Sequence, residues 1–360
     1  MRSVLMAFFA FTACSAASPQ NQSALPFTVT AKQNFNEPWA MAFLPGSGVA
    51  MTNAVLITER EGRLLYGKVG EAMSAVAGVP RVDAGGQGGL GDVIADPQWA
   101  ANHLIYLSWV EAGAGDTRGA VVGRAKLILG EGTPRLEGLS IIWRQSPKVS
   151  GRGHFGHRLA FGADGKLYVS SGERQKFDPA QDLTGNLGKI IMMNADGSDA
   201  KMLTLGHRNP LGLAFDAEQR LWEIEMGPKG GDELNLIKAG ANYGYPKASN
   251  GSHYDGRDIP DHRTGDGFAA PKVWWNPSIS PGSLMIYSGD MFPKWKGDAF
   301  IGALGGEALI RIHLNGEQAT KTDEWPMGAR IREVEQGPDG AMWLLEDGGN
   351  GRLLKLTPKG

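Results

Sequence analysis

One pattern of hydrophobic and polar positions recurs along the chain, and helical periodicity is nearly absent. Each copy has a short apolar run, a turn rich in Pro, Asp or Gly, and a second apolar run that carries an aromatic residue. The clearest copies are "RLAFGADGKLYVSSGE" (158–173), "GLAFDAEQRLWEIEMG" (212–227) and the segment 332–356. Looser copies occupy residues 39–67, 91–111 and 283–314. Two apolar runs joined by such a turn predict paired antiparallel strands.

Six copies of this unit predict an all-β fold, a six-bladed β-propeller. A repeat of about 40–50 residues with about four strands is typical of a propeller blade. A β-sandwich is the alternative fold, but it does not require the same unit six times. We expect the first and last copies to close the ring, because closure protects the edge strands. The innermost strands then line a central channel, whose end loops form a natural site for a small molecule.

Composition and charge narrow the class of protein. The chain has 360 residues, of which 42% are hydrophobic and 21% charged, as expected of a soluble protein with a substantial core. A formal net charge of −2 argues against a broad basic surface for nucleic acid or anionic lipid. The 52 glycines are spread along the chain and indicate many turns.

The first residues have the features of an export signal. Residues 4–13 form an apolar run too short to span a bilayer, and small residues follow it. We interpret residues 1–18 as a signal peptide, 19–34 as an N-terminal segment and 35–360 as the propeller catalytic domain. Cys14 is the only cysteine, and its position resembles a bacterial lipoprotein cleavage site. Two outcomes are open, a soluble periplasmic protein and a protein anchored to the outer membrane through a lipid on Cys14.

Two glycine-flanked stretches carry candidate site residues. "GQGGLG" (86–91) matches a dinucleotide fingerprint, but an extended segment follows it. We therefore interpret it as a loop whose backbone approaches a ligand and whose Gln87 hydrogen-bonds that ligand. "GHFGHR" (153–158) spaces two histidines like half of a metal site, but no further ligands cluster nearby. His154 precedes a strand at the predicted channel mouth, where a neutral imidazole suits a general base, whereas His157 is interpreted as structural.

Cationic residues occupy comparable places in other copies. "GHRNP" (206–210) puts Arg208 and Asn209 before another predicted strand, although a turn at Asn-Pro would also explain them. Arg330 and Arg332 are two residues apart on a predicted strand and therefore share one face, which is either solvated or directed into the channel. Inside the channel, the three arginines would form a pocket for a polyanion.

A further stretch, "EMGPKGGDELNLIKAGANYGYP" (225–246), combines turn carbonyls with Asp232 and Glu233. Oxygen ligands of this kind suit Ca²⁺, although the spacing is not that of an EF-hand.

Together these stretches resemble the soluble quinoprotein sugar dehydrogenases, in particular the aldose sugar dehydrogenase branch related to soluble glucose dehydrogenase. The motifs that carry the resemblance are "GGQGGLGDV", "HFGHRLAFGADGKLYVSSGER", "LGHRNPLGLAFD", "EMGPKGGDELNLIKAGANYGYP", "NPSISPGSLMIYSGDMFPKWKGD" and "RIREVEQGPDG". They follow the family order over essentially the whole chain after the signal. The resemblance implies a six-bladed propeller that binds pyrroloquinoline quinone (PQQ) and Ca²⁺. It also implies oxidation of aldoses at the anomeric carbon to lactones, with hydride transfer to PQQ and an unidentified electron acceptor.

The resemblance extends to individual residues. His154 corresponds to the general base and Arg208 to a contact at the quinone, so these two are the predicted catalytic residues. The other implied cofactor contacts are Gln87, Asn209, Tyr254, Arg330 and Arg332. The implied Ca²⁺ ligands are the carbonyls of Gly227 and Pro228 at the cofactor, and Glu233 with the backbone of Tyr243 at a second, structural ion.

Two positions depart from the family pattern and keep alternatives open. Gly305 stands where some relatives have a lysine facing the cofactor, and Gly153 where soluble glucose dehydrogenase has an aspartate before its base. One alternative is a non-catalytic propeller that binds sugar or protein. The other is a Ca²⁺-dependent lactonase, which would place carboxylates and an asparagine around one axial metal instead of arginines and a histidine.

Overall fold

The computed structural model describes residues 25–46 and 54–359. Its sheets are built from 26 strands, and the first, β1 (Phe27–Phe35), belongs to the last blade. Blade 1 contains β2 (Pro38–Phe43), β3 (Ala54–Glu59), β4 (Arg63–Lys68) and β5 (Ser74–Ala75). Blade 2 contains β6 (Leu90–Ala95), β7 (Leu104–Ala112), β8 (Arg118–Ile128) and β9 (Arg135–Arg144). Blade 3 contains β10 (Gly156–Phe161), β11 (Lys166–Ser171), β12 (Lys189–Asn194) and β13 (Lys201–Leu205).

The second half of the chain repeats this arrangement. Blade 4 contains β14 (Pro210–Phe215), β15 (Leu221–Glu225), β17 (Asp232–Leu236) and β19 (Val273–Trp275), with a separate ribbon of β16 (Lys229–Gly230) and β18 (Gly251–Ser252). Blade 5 contains β20 (Pro281–Ile286), β21 (Ala299–Ala303), β22 (Ala308–Asn315) and β23 (Gln318–Pro326). Blade 6 contains β24 (Ile331–Gln336), β25 (Met342–Glu346), β26 (Gly351–Pro358) and β1. Helical structure in the described residues is limited to α1 (Trp99–Asn102) and two 3₁₀ turns at Asp178–Gln181 and Pro293–Trp295.

This architecture confirms the predicted six-bladed β-propeller. The ring is closed by β1, which pairs antiparallel with β26 from Phe27 opposite Pro358 to Phe35 opposite Gly351. The predicted boundary at residue 35 divides this strand, so the propeller sheet includes residues that we assigned to the N-terminal segment. The proposed signal peptide and Cys14 lie outside the described residues. No helix in the described part of the chain is long or apolar enough to cross a membrane.

The core consists of one hydrophobic cluster between each pair of adjacent blades. In β3, Val55 and Ile57 pack toward blade 6, whereas Ala54 and Leu56 pack toward blade 2. Both faces of the middle strands are therefore buried, which is why they are continuous apolar runs instead of alternating ones. Burial of both faces also explains why the repeat is easier to recognise by its turns than by its strands.

The six innermost strands share a local irregularity that positions the site. β2, β6, β10, β14, β20 and β24 each show a register shift near their first residues where they pair with the next strand. Bulges of this kind redirect side chains, and they concentrate at the rims of closed sheets. The loops that precede these strands all meet at one end of the central channel.

Candidate active site

Two adjoining cavities lie at this end of the channel. The first, which we call the arginine cavity, has a volume of about 280 Å³ and is lined by Arg60, Arg330, Arg332, Gln87 and Asn209, among others. The second, the histidine cavity, has a volume of about 230 Å³ and is lined by His154, Arg208, Pro228, Tyr245 and Tyr254, among others. Arg208 lines the histidine cavity and the next residue, Asn209, lines the arginine cavity, so the two cavities share a wall.

His154 is held in a defined orientation by a buried carboxylate. Its Nδ1 lies 2.5 Å from Oε1 of Glu173, and its backbone N–H donates to Oε1 of Gln87 at 2.7 Å. The backbone of His154 has a φ of 51°, a left-handed conformation that is uncommon for a residue with a Cβ. A proton on Nδ1 donated to Glu173 leaves Nε2 with its lone pair free to accept a proton.

Burial and neighbouring charges keep this pair in a useful protonation state. Burial lowers the pKa of His154, and the positive charge of Arg208 lowers it further, although the hydrogen bond to Glu173 opposes both. Burial acts to raise the pKa of Glu173, but hydrogen bonds from His154 and from the backbone N–H of Phe177 outweigh it, so this pKa is lowered. A neutral imidazole beside an ionised carboxylate is the state required of a general base.

Glu173 also shapes the loop beside the histidine cavity. Its Oε2 accepts the backbone N–H groups of Lys176 and Phe177. Arg174, Gln175 and Phe177 all have positive φ angles, of 64°, 59° and 62°. Such conformations persist only where the surroundings impose them. One carboxylate therefore orients His154 and holds a strained turn that carries Phe177 to the cavity.

The sequence did not identify Glu173. It follows β11 and lies 19 residues after His154, so no local spacing connects the two. The available signal was an acidic residue directly after a predicted buried strand, in "VSSGER".

Arg208 is buried and strongly tethered. Its Nη1 donates to the carbonyls of Met226, at 3.0 Å, and Gly227, at 2.5 Å. Its Nε and the hydroxyl of Tyr245 are both buried without a hydrogen-bond partner among the described residues. Burial raises the pKa of Tyr245 to about 12, so its hydroxyl stays protonated. These two unused donors suit an anionic or carbonyl-bearing ligand.

Arg330 and Arg332 lie together at the arginine cavity. Both donate to Asp347, with distances of 2.9 Å from Nε of Arg330 and 3.0 Å from Nε of Arg332. Two guanidinium groups that share one carboxylate leave a net positive charge for a ligand. Asn209 also lines this cavity, and its Oδ1 accepts the N–H of Gly156 at 3.2 Å.

The structure adds detail to three expectations from the sequence. His154 and the three arginines line two adjoining cavities, with His154 and Arg208 in one and Arg330 and Arg332 in the other. Tyr254 is 74% exposed and reaches Arg208 only at 3.5 Å. The glycines in "GQGGLG" allow close contacts within the chain, and Gly86 also lines the arginine cavity. A Cβ on Gly91 would lie 1.9 Å from the ring of His157.

His157 has a structural role. It is buried, its ring stacks on Trp39 at 4.9 Å, and its Nδ1 lies 2.7 Å from the hydroxyl of Ser108. Burial lowers its pKa to about 3, so it is neutral at any ordinary pH. The spacing of His154 and His157 therefore does not indicate a shared metal.

The predicted calcium ligands fall in two places. Pro228 lines the histidine cavity, and the carbonyl of Gly227 accepts its hydrogen bond from Arg208. Glu233 is buried elsewhere in blade 4, opposite Glu225 on the adjacent strand. Tyr243 lies near it, with its ring stacked on His207 at 4.7 Å.

A compact group of possible metal ligands accompanies Glu233. Ligand atoms of His207, Glu223 and Glu225 lie within 4.8 Å of one another, and all three side chains are buried. Oε1 of Glu223 and Oε1 of Glu233 have no hydrogen-bond partner among the described residues. Burial and the charge of Glu225 raise the pKa values of both carboxyl groups well above the usual range. Glu223 and Glu225 were not predicted as ligands, although their spacing in "LWEIEMG" puts them on one face of a strand.

Comparison with known proteins identifies the family. Residues 35–355 match the model of the glucose/sorbosone dehydrogenase family. The chain is 36% identical to aldose sugar dehydrogenase YliI of Escherichia coli, over 93% of this chain and 95% of that protein. The crystal structure of the soluble aldose sugar dehydrogenase of Escherichia coli in its apo form superposes with a TM-score of 0.86, at 35% identity, covering 92% of this chain and all of that one.

A PQQ-bound aldose sugar dehydrogenase from Streptomyces coelicolor superposes with a TM-score of 0.76 at 28% identity, over 92% of this chain and 98% of that one. The family resemblance inferred from the motifs is therefore confirmed. The chain belongs to the glucose/sorbosone dehydrogenase family.

Proposed function

We propose that this enzyme oxidises aldose sugars at the anomeric carbon to lactones, with PQQ and Ca²⁺ as cofactors and His154 as the general base. The observation that carries the proposal is the buried Glu173–His154 pair, which presents a neutral imidazole to a cavity beside arginines. Relatives whose names describe aldose sugar dehydrogenases, one of them in a PQQ-bound form, support the choice of substrate and cofactor.

His154 removes the proton of the anomeric hydroxyl. Its Nε2 accepts this proton while Nδ1–H remains bonded to Glu173, which stabilises the imidazolium that forms. When bound, PQQ supplies the two-electron acceptor for the hydride that leaves the anomeric carbon. Loss of the hydroxyl proton and the hydride converts the sugar to its lactone.

The residues present fit an anion with several carboxylates. Arg330 and Arg332 share only Asp347, and Arg208 and Tyr245 retain unused buried donors. Guanidinium groups bind carboxylates in defined geometry, which suits the three carboxylates of PQQ. Gln87, Asn209 and Tyr254 complete the proposed contacts.

Gly305, the position that departs from a lysine, follows β21, where an added Cβ would lie 2.9 Å from the hydroxyl of Ser280. A side chain there would require the Ser280 hydroxyl to move, and the proposed cations of this site are the arginines.

Calcium has two proposed places. The carbonyls of Gly227 and Pro228 are hard oxygen donors at the histidine cavity, and the Gly227 oxygen, which accepts one hydrogen bond from Arg208, retains a second lone pair. Ca²⁺ at this position would act as a Lewis acid on the quinone. The second ion is supported by the unpartnered oxygens of Glu223 and Glu233, with the Tyr243 carbonyl as an additional donor.

We further propose that residues 1–18 direct export. The protein would then act in the periplasm, either free or anchored to the outer membrane through Cys14, and pass electrons to an acceptor still to be identified. Mass spectrometry of the mature N-terminus from membrane and soluble fractions would distinguish the two forms.

Reconstitution tests the activity. The apo-protein, prepared with a chelator, is titrated with PQQ by absorbance and then assayed with Ca²⁺, a panel of aldoses and an artificial electron acceptor. We expect saturable PQQ binding and dye reduction. His154→Asn should abolish dye reduction and leave PQQ binding unchanged.

His253→Asn is the matched control, because His253 lines the same cavity without a carboxylate partner like Glu173. It should retain activity. Bound PQQ without oxidation of any aldose would refute the proposal and favour a binding propeller. Failure to bind PQQ, with hydrolysis of lactones that requires Ca²⁺, would favour the lactonase.

A further inference from the structure

A third cavity, which we call the far cavity, lies at the other end of the central channel. It has a volume of about 280 Å³, and all six innermost strands contribute to its wall. Its polar lining consists of Asp92, Arg158, Ser283, Glu333 and Glu335, and the rest is largely apolar. It is separate from the proposed active site, which is lined by the first residues of the same strands.

Arg158 closes the channel between the two ends. Its guanidinium lies 4.1 Å from the ring centre of Trp39, which lines the arginine cavity. Its Nε donates to the carbonyl of Leu211 at 2.8 Å and its Nη2 to that of Gly282 at 2.6 Å. A ligand in the far cavity therefore does not reach the cofactor residues.

The far cavity is lined by three carboxyl groups and one cationic side chain. Arg158 is its single cation among the described residues and already serves two carboxylates, at 2.5 Å from Glu333 and 3.5 Å from Asp92. Glu335 forms no ion pair within the described part of the chain. A carboxyl group at the cavity wall that has no ion-pair partner favours a cationic ligand once it is ionised.

A buried hydroxyl gives independent support for a ligand. Ser283 is 1% exposed and lines the cavity, yet its Oγ has no hydrogen-bond partner among the described residues. Nearly all buried polar side chains are satisfied in folded proteins. An unused hydroxyl in the same cavity as Glu335, which forms no ion pair in the described residues, indicates a ligand with N–H donors.

The spacing of the carboxylates excludes a compact metal site. In the described residues, the group with ligand atoms close enough to share one ion is the His207 group of blade 4, not the channel carboxylates. Glu333 and Glu335 lie two residues apart on β24 and both line the cavity. This spacing separates their Cα atoms by about 7 Å along the strand. Two separated carboxylates above an apolar wall match two ammonium groups joined by a short methylene chain.

We propose that the far cavity binds a small linear aliphatic diamine, with one ammonium group at Glu333 and the other at Glu335. The methylene chain packs on the apolar wall formed by residues such as Leu213 and Leu284. Ser283 accepts a further N–H hydrogen bond. The partial exposure of Glu335 provides the route of entry.

Binding should be coupled to proton release. Burial raises the pKa values of Glu333 and Glu335 to about 8, against the opposing charge of Arg158. The other charged groups that face them are Asp92 and Arg332. At pH 7 the two carboxyl groups are largely protonated, so a diamine must displace protons to bind. Affinity should therefore increase from pH 7 to pH 8.5.

Isothermal titration calorimetry with 1,4-diaminobutane tests the proposal on the full chain in the presence of EDTA. We expect one saturable site, tighter at pH 8.5 than at pH 7, with proton release shown by the dependence of the heat on the buffer. 1-Aminobutane should bind at least about tenfold more weakly, because it forms one ion pair instead of two. Glu335→Gln should weaken diamine binding at least about tenfold and leave sugar oxidation unchanged.

The double variant Glu71→Gln/Glu131→Gln is the matched control, because it removes two exposed carboxylates outside the cavity and should bind the diamine normally. Leu213→Phe narrows the cavity without changing its charge and should also weaken binding. The proposal is wrong if the wild type shows no saturable diamine site. It is equally wrong if Glu335→Gln binds the diamine as tightly as the wild type.

Discussion

Replacing Glu173 with Gln tests whether this carboxylate sets the tautomer of His154. Three donors converge on Glu173, namely Nδ1–H of His154 and the backbone N–H groups of Lys176 and Phe177. A glutamine amide offers one accepting oxygen and one NH₂ group in the same volume. The NH₂ group must therefore face either His154 or the two backbone donors.

The structure indicates which arrangement is lower in free energy. If the NH₂ group faces the backbone, the N–H groups of Lys176 and Phe177 lose their acceptor, which costs about 1–3 kcal/mol of stability for each buried group. Facing His154 avoids this cost, because the imidazole can change tautomer and accept at Nδ1. The proton then lies on Nε2, the atom that must accept the proton of the sugar. The variant should fold and bind PQQ but lose its base.

The expected magnitude follows from general base catalysis. Such a group contributes about 10²–10⁴-fold to the rate, and a wrong tautomer in a histidine–carboxylate pair costs about 10⁴-fold in serine proteases. We expect kcat to fall by about 10²–10⁴-fold while KM for the aldose changes by only a few-fold. Glu173→Asp retains the charge at a longer distance and should recover part of the activity.

The pH profile gives a second readout. Because the pKa of His154 is lowered from its ordinary value of 6.5, the wild-type rate should decline only below pH 6.5. The hydrogen bond to Glu173 raises that pKa, so in Glu173→Gln the residual activity should decline at still lower pH. Stopped-flow reduction of the PQQ-loaded protein by the aldose measures kcat and KM at each pH. Activity within threefold of the wild type, with unchanged PQQ affinity, would refute the tautomer argument.

Three further predictions concern stability. Phe27→Ala removes a ring that is 1% exposed in the closing strand and should cost about 3–5 kcal/mol in urea unfolding, whereas a loss under 1 kcal/mol would show that closure contributes little. Arg158→Met leaves the carboxylates of Asp92 and Glu333 buried without their cation and should cost about 3–5 kcal/mol. This loss of stability should be larger at pH 9 than at pH 6, because both carboxylates are ionised at pH 9. An equal loss at both pH values would contradict the charge argument. Glu223→Gln/Glu225→Gln should abolish the increase in melting temperature that Ca²⁺ produces in the wild type, because it removes two of the three grouped ligands. An undiminished response to Ca²⁺ would place the ion elsewhere.

Some of the site was visible in the sequence because it depends on local spacing. Arg330 and Arg332 are two residues apart at the start of a strand, so their shared cavity follows from strand geometry. Glu223 and Glu225 have the same spacing and could have been found in the same way. His154 and Arg208 each stand before the first strand of a repeat, which indicated their place at the channel mouth.

Contacts between distant segments could not be read in this way. Glu173 reaches His154 from the end of the neighbouring strand, and Arg158 contacts carbonyls 53 and 124 residues further along the chain. The arginines and the base also divide between two cavities, which depends on how loops of different blades meet. Pair contacts of this kind depend on the closure of the ring and have no periodic signature.

The sequence by itself determined the number of blades, because each blade must bury both faces of its strands and therefore repeats the same apolar runs and turns. It also determined which end of each repeat carries the polar residues of the candidate site. Only the tertiary structure decided that the N-terminal strand completes the last blade, that Glu173 selects the tautomer of His154, and that Arg158 separates the two ends of the channel. The physical reason is that burial pattern is a property of each segment, whereas the partners of a buried charge are set by the folding of the whole ring.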